Sequence, residues 1–300
     1  MDQNSDNSYR GRFAPSPTGP LHLGSIVTAV GSYLQARNNN GKWLVRIEDL
    51  DPPREVKGAS DAILYSLDAL GLYWDDTVLY QSKQIESYTH AIEQLKRQDV
   101  LFPCNCSRKT IEVALANNPV KIYPGSCRNN RFSEQLKHLA IRVKVNNQVI
   151  EFTDAIQGPL KQQLNEDVGD FIIRRADGLI AYQLAVVIDD AQQNITEIVR
   201  GADLFDNTPR QIFLQQLLSL PSINYAHLPL VVDANGIKVS KQAQAPSVNV
   251  NNPVACVHMA LNFLGQNPPQ ELIYDSLTTL WQWAFSNWDI KKVAKKQLKK

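Results

Sequence analysis

Apolar residues recur at helical spacing between 21 and 37, at Leu23, Ile26, Val27, Val30 and Leu34, which predicts an amphipathic helix. A short strand-like run at 9–14 precedes it, and a second at 42–47 (KWLVRI) follows the helix-stopping stretch 38–41 (NNNG). Residues 9–47 therefore spell strand, loop, helix, strand: a βαβ unit, which implies a parallel sheet with a right-handed crossover. In such sheets ligands sit beyond the carboxyl ends of the strands. The loop 15–20 (PSPTGP) and the acidic group Glu48, Asp49 and Asp51 both fall there.

Helical patterns continue at 57–70 and 82–97, and then the texture changes. Residues 101–180 carry Pro, Asn, three of the four Cys and short alternating strands such as 140–145 (AIRVKV), which predicts an α+β insertion packed on the sheet. The βαβ texture returns over 181–188, just before Asp189 and Asp190. A strand at 197–199 follows, then a helix from Thr208, read as its N-cap with Pro209 at the first helical position. An Asn-Gly turn in 233–236 leads into 237–242 (IKVSKQ). The expected fold class is α/β. A Rossmann-like core spans 9–100 and 181–242, with the insertion at 101–180, a flexible leader at 1–8 and a helical C-terminal region at 243–300.

Three hundred residues, 43% of them apolar, leave room for a substantial core. A formal charge of +1 excludes a uniformly basic nucleic-acid coat and an acidic disordered chain. Six Lys lie in 291–300, so the rest is net acidic, and this tail reads first as a solvated helix end and second as an RNA contact. The start lacks an apolar signal region, and the most apolar stretch, 179–188, is too short to span a bilayer. A reducing, cytoplasmic setting without a membrane partner is the expectation, in which clustered Cys read as metal ligands rather than bridges.

Chemistry concentrates in two segments. In 12–25 (RFAPSPTGPLHLGS) three prolines fix the backbone, Gly19 and Gly24 permit close approach, and His22 stands near a helix start. A helix N-terminus suits a phosphate, and a His beside it can donate to an oxygen on which charge grows. Lys238 and Lys241 flank Ser240 in 238–242 (KVSKQ), where they can neutralise a triphosphate and departing pyrophosphate; alone, such a pair is solvated surface. Neither a P-loop nor a G-x-G-x-x-G is present, which removes support for kinase, GTPase and dinucleotide readings.

Together, HLGS at 22–25 and KVSKQ at 238–242 resemble the HIGH and KMSKS signatures of class I aminoacyl-tRNA synthetases. The flanking segments 12–24, 46–51 (RIEDLD), 182–190 (YQLAVVIDD) and 199–203 (VRGAD) narrow the resemblance to the glutamyl/glutaminyl branch. Only about sixty residues follow Lys241, too few for a large anticodon-binding region, which is similar to the short paralogues of that branch. Ser25 replaces the second His of HIGH, and Val239 and Gln242 depart from KMSKS, while His22 and Lys241 are kept.

The resemblance implies ATP, with magnesium, and L-glutamate as substrates. It implies glutamyl-adenylate formation and transfer to the queuosine base in the anticodon loop of tRNA(Asp). It puts His22, Gly24, Ser25, Lys238, Ser240 and Lys241 at ATP, with His22, Lys238 and Lys241 catalytic. It puts Arg12, Phe13, Ala14, Pro15, Ser16, Glu48, Tyr182 and Arg200 at glutamate. The guanidinium fork of Arg12 or Arg200 suits a carboxylate, and Glu48 suits the ammonium. Without the family, Glu48 and Arg200 would read as a surface ion pair worth about 0–1 kcal/mol. Rival readings are a minimal synthetase charging the 3′ end of tRNA(Glu), a small-molecule nucleotidylyltransferase, and a non-catalytic RNA-binding paralogue.

Cys104, Cys106 and Cys127 suit one tetrahedral zinc, with His138 or water as the default fourth ligand. The resemblance points instead to Tyr123, whose phenol the metal would deprotonate, in a structural site. Cys256 reads as a core residue.

Overall fold

The computed structural model describes residues 8–116, 122–132, 139–231 and 251–295. The lysine segment 238–242, His138, the 233–236 turn, residues 1–7 and the last five residues lie outside them.

Strand β1 (Arg10–Phe13), helix α1 (Leu23–Asn38) and strand β2 (Lys42–Ile47) form the βαβ unit the spacing predicts. Arg10 pairs with Lys42 and Phe13 with Val45 in parallel register. Helices α2 (Ala59–Ala69) and α3 (Ile85–Arg97) follow, with the two-residue strand β3 (Leu79–Tyr80) between them pairing parallel to β2. The insertion holds β4 (Leu101–Cys104), the short α4 (Arg108–Ala114), β5 (Ala140–Val143), the hairpin β6 (Val149–Asp154) and β7 (Gly158–Gln163), and β8 (Phe171–Arg174). Its β4, β5 and β8 make an antiparallel sheet.

The chain then returns to parallel pairing. Strands β9 (Glu197–Gly201) and β10 (Asn224–Leu228) run side by side. The Thr196 N–H donates to the Arg10 carbonyl at 2.9 Å, which ties the start of β9 to β1. Helix α5 (Tyr182–Gln192) precedes β9, and α6 (Thr208–Leu217) connects β9 to β10. The stretch 181–188 is thus the helix of the returning unit. Leu184 through Asp190 are all buried, so the segment lacks the polar stripe that marks an exposed helix in sequence. The N-cap expected at Thr208 is corrected: a 3-10 turn at Ala202–Asn207 runs straight into α6, and Asn207 takes the cap position. The Thr208 hydroxyl is engaged instead by Arg200.

The C-terminal region is two helices, α7 (Pro253–Phe263) and α8 (Leu277–Asn287), closed by a 3-10 turn at Ile290–Lys292. The expected Lys-rich helix end is absent among the described residues because Trp288 and Val293 turn inward, 7% and 5% exposed. Both helices pack on α1. The Tyr33 and Trp281 rings meet edge-on at 5.3 Å, and Trp288 Nε1 donates to Gln35 Oε1 at 3.0 Å. One core joins α1, β1, β2, α2, β10, α7 and α8; a second joins α3, β5, β8, α5 and α6. Cys256 is buried in the first, as expected.

Candidate active site

Three prolines and two backbone hydrogen bonds shape the loop after β1. The Glu48 N–H donates to the Pro15 carbonyl and the Val56 N–H to the Pro17 carbonyl, both at 3.0 Å, so the loop is pinned to the end of β2. His22 then caps α1: its Nδ1 accepts from the Ser25 N–H at 3.2 Å. Nδ1 is therefore unprotonated and the ring carries its proton on Nε2. A Cβ on Gly24 would sit 3.0 Å from the His22 ring, so the glycine is what lets the imidazole fold over the helix start. A cavity of about 280 Å³ opens there, lined by Pro15, Ser16, His22, Gly24, Ser25 and Asp203 among others.

A larger cavity of about 740 Å³ adjoins it and shares Phe13, Ala14, Ser16, Thr18, Gly201 and Asp203 as wall. Arg12, Glu48, Tyr182 and Arg200 line it, drawn from β1, the end of β2, the start of α5 and β9. The structure thus brings the glutamate set around one space, except Pro15, which faces only the smaller cavity. Glu48 and Arg200 are not a surface pair: the Glu48 side chain is 10% exposed and Arg200 3%.

The floor of the larger cavity is a buried charge network that only partly surfaced in the sequence. Asp190 Oδ1 accepts from Arg12 Nε at 3.0 Å and pairs by charge with Arg46 Nη2 at 2.8 Å. Asp189, one residue back on α5, accepts from Gln81 at 2.7 Å and Tyr88 at 2.8 Å. Arg46 also lies 3.8 Å from Glu48 and 3.7 Å from Asp189. Burial pushes the Glu48 carboxyl up to about 7; Arg46 and Arg12 oppose that, and the two aspartates reinforce it. For Asp190 the two arginines outweigh burial and hold the carboxyl below its ordinary range. Gln81, Tyr88, Asp154, His227 and Gln211 carried no sequence signal; Arg46 stood only as the first residue of the segment 46–51 and Thr208 only as an expected N-cap.

Behind β4 lies the cysteine cluster. The Cys106 and Cys127 sulfurs are 3.5 Å apart, and the Tyr123 hydroxyl lies 3.4 Å from Cys104 and 3.6 Å from Cys106. A tetrahedral zinc with Zn–S bonds of about 2.3 Å spaces its sulfurs about 3.7 Å apart, so this donor set fits one ion. Among the described residues this is the one group of three metal-capable side chains, its sulfurs all within 4.8 Å. Arg142 stacks 3.8 Å from the Tyr123 ring centre and donates to Cys104 at 3.3 Å. Burial raises the Cys104 thiol, but the bonds to Tyr123 and Arg142 outweigh it, and the net shift is downward. Burial and the three cysteines push the Tyr123 phenol up, a direction a bound cation would reverse. No helix among the described residues is long and apolar enough to cross a membrane.

Residues 8–254 match the family described as tRNA synthetases class I (E and Q), catalytic domain. The chain is 48% identical over 296 residues to a Dechloromonas aromatica protein named glutamyl-Q tRNA(Asp) synthetase, covering 98% of each. It is 50% identical over 284 residues to a Thiobacillus denitrificans protein of the same name, covering 94% of each. Among solved structures it is similar to a glutamate tRNA ligase from Elizabethkingia meningosepticum in complex with its amino acid. The TM-score is 0.77 at 25% identity, over 97% of this chain and 66% of the ligase.

Proposed function

The chain belongs to the class I tRNA synthetase (E and Q) catalytic-domain family, and on that premise we propose that it activates L-glutamate with ATP and transfers it to the queuosine base of tRNA(Asp). The observation that carries the first half is the pair of adjoining cavities. One offers buried Arg12, Arg200, Glu48 and Tyr182 to an amino acid with two carboxylates and an ammonium, and the other offers the start of α1 and His22 to phosphate. Their shared wall supports a reading in which an α-carboxylate and an α-phosphate meet there. The second half rests on the names of relatives matched over nearly their whole length.

In this reading the α-carboxylate attacks the α-phosphorus in line, and glutamyl-adenylate and pyrophosphate form. Arg200 receives the side-chain carboxylate, Arg12 and the backbone of Phe13–Ser16 position the α-carboxylate, and Glu48 receives the ammonium. Gly24 and Ser25 admit the nucleotide to the start of α1, and the Nε2–H of His22 donates to phosphate as charge grows. Lys238, Ser240 and Lys241 follow the departing pyrophosphate. Magnesium accompanies ATP and neutralises phosphate charge. Cys104, Cys106, Cys127 and Tyr123 would hold one structural zinc, which would keep the thiols ionised. ATP and tRNA place the activity in the cytoplasm.

The test is pyrophosphate exchange across amino acids, with and without tRNA, followed by acceptor assays with queuosine-containing and queuosine-lacking tRNA(Asp). Exchange with glutamate alone and transfer only to the queuosine-containing tRNA are expected. Charging of the 3′ end of tRNA(Glu) would favour the minimal synthetase instead. Lys241→Ala is expected to slow exchange about a hundredfold or more with little change in the KM for glutamate. Equal rates would remove Lys241 from the reaction.

A further inference from the structure

Three short hydrogen bonds hold Arg200. Nε donates to His227 Nε2 at 2.9 Å, Nη1 to Gln211 Oε1 at 2.7 Å, and Nη2 to the Thr208 hydroxyl at 2.9 Å. Two longer ones, to Tyr182 Oη and the Leu204 carbonyl, are 3.4 Å each and are the donors an incoming carboxylate can take over. None of the five acceptors is a carboxylate.

His227 stands between Arg200 and the carboxylate of Asp154. Asp154 Oδ2 lies 2.6 Å from His227 Nδ1, and neither side chain is exposed. Asp154 Oδ1 accepts the backbone N–H groups of Ile156, Gln157 and His227 at 3.0, 2.8 and 3.1 Å. Burial raises the Asp154 carboxyl, but these bonds and His227 outweigh it, so it stays ionised. Burial lowers His227; Asp154 opposes and Arg200 adds, and the net shift is downward, which keeps the ring neutral. Because Nε2 accepts from Arg200, the ring proton sits on Nδ1, facing Asp154. The Phe205 and Tyr225 rings flank the imidazole, with centroids at 5.2 and 6.2 Å.

We propose that His227, oriented by Asp154, is a positioning residue that aims the Arg200 fork at the side-chain carboxylate of the substrate while leaving its charge uncancelled. Arg12 supplies the contrast: Asp190 pairs with it directly at 3.0 Å, which fixes it but lowers its attraction for another anion. At Arg200 the imidazole takes the place of that carboxylate, so orientation comes from a neutral acceptor and the anion stands one ring farther back. Discrimination between a carboxylate and an amide follows, because a full positive charge faces the pocket. This inference rests on glutamate as the substrate.

Asp154→Asn is the sharpest probe. The three backbone N–H groups keep the amide oxygen in the Oδ1 position, so the amide NH₂ faces Nδ1, reverses the tautomer and sets two N–H groups against each other at Arg200. The KM for glutamate in pyrophosphate exchange is expected to rise about tenfold or more, and the preference for glutamate over glutamine to fall about as far. The KM for ATP and the kcat at saturating glutamate should hold within about threefold. His227→Gln, which keeps an acceptor, should recover part of the selectivity that His227→Phe loses, and this comparison stands if Asp154→Asn does not fold. An unchanged KM for glutamate in Asp154→Asn overturns the inference and leaves the proposed function intact. So does a parallel loss of kcat and ATP affinity, or identical behaviour of the Gln and Phe variants. Absence of glutamate-dependent exchange in the unmutated protein removes the functional reading, and this inference with it.

Discussion

The floor of the larger cavity and the cysteine cluster both bury polar groups, yet they balance them in opposite ways. Beneath the cavity, Arg12 and Arg46 converge on one oxygen of Asp190, while Gln81 and Tyr88 satisfy Asp189. The network closes with the chain's own charges and is walled by two large cores. At the cysteines, three thiols and a phenol face one another, and the apolar cluster around them counts only Phe102, Cys104, Cys127 and Ala140 as buried members. Among the described residues, Arg142 is the cation bonded there. A site that closes its own charge can stand empty and wait for substrate; a site made of donors alone draws its stability from what it holds.

The largest effect should come from opening the closed network. Asp190→Ala strands two buried guanidinium groups and is expected to cost about 3–5 kcal/mol by chemical denaturation. A loss below about 1 kcal/mol would mean the floor does not depend on this carboxylate. At the cysteines, chelation or Cys104→Ser should release about one equivalent of zinc by elemental analysis. Hydrogen exchange should then rise across 101–130 while the floor stays protected. Loosening of both regions together would break the comparison.

Glu48 sharpens it in the other direction. Its folded pKa of about 7 stands above the ordinary 4.5, so the folded chain holds that proton more tightly than the unfolded one. The stability this gives is complete below the unfolded value and is lost as pH rises through the folded value. Glu48→Gln should therefore stabilise the protein by about 3 kcal/mol at pH 8 and leave it unchanged near pH 4. Glutamate affinity of the unmutated protein should rise over the same pH window, because the ammonium needs the ionised carboxylate. The smallest effect belongs to Tyr123→Phe, which removes one oxygen donor. Zinc affinity falling with content near one equivalent at saturating metal is expected, and unchanged affinity would return the fourth position to His138 or water.

What the sequence made legible was local. The Pro-rich loop, the helix behind it and the strand that ends just before Glu48 are contiguous, and their spacing alone predicts the βαβ unit. The Arg12–Asp190 pair joins residues 178 positions apart, and His227 meets Asp154 across 73, so no window along the chain contains either. Helix α5 was obscured for a different reason: a helix buried on every side carries no polar stripe. Lys238 and Lys241 show the converse case, a motif plain in sequence whose placement lies outside the described residues.

The packing of α7 and α8 on α1 also dictates a schedule. Gln35 is made 253 residues ahead of its partner Trp288, and Tyr33 precedes Trp281 by a similar stretch of chain. At about 5–20 residues per second, the outer face of α1 waits roughly ten to fifty seconds for its cover. During that interval the βαβ unit exists as a nascent chain with an open apolar flank, where a holding chaperone would bind. The outer face of the helix capped by His22 is thus covered only after α7 and α8 have been made.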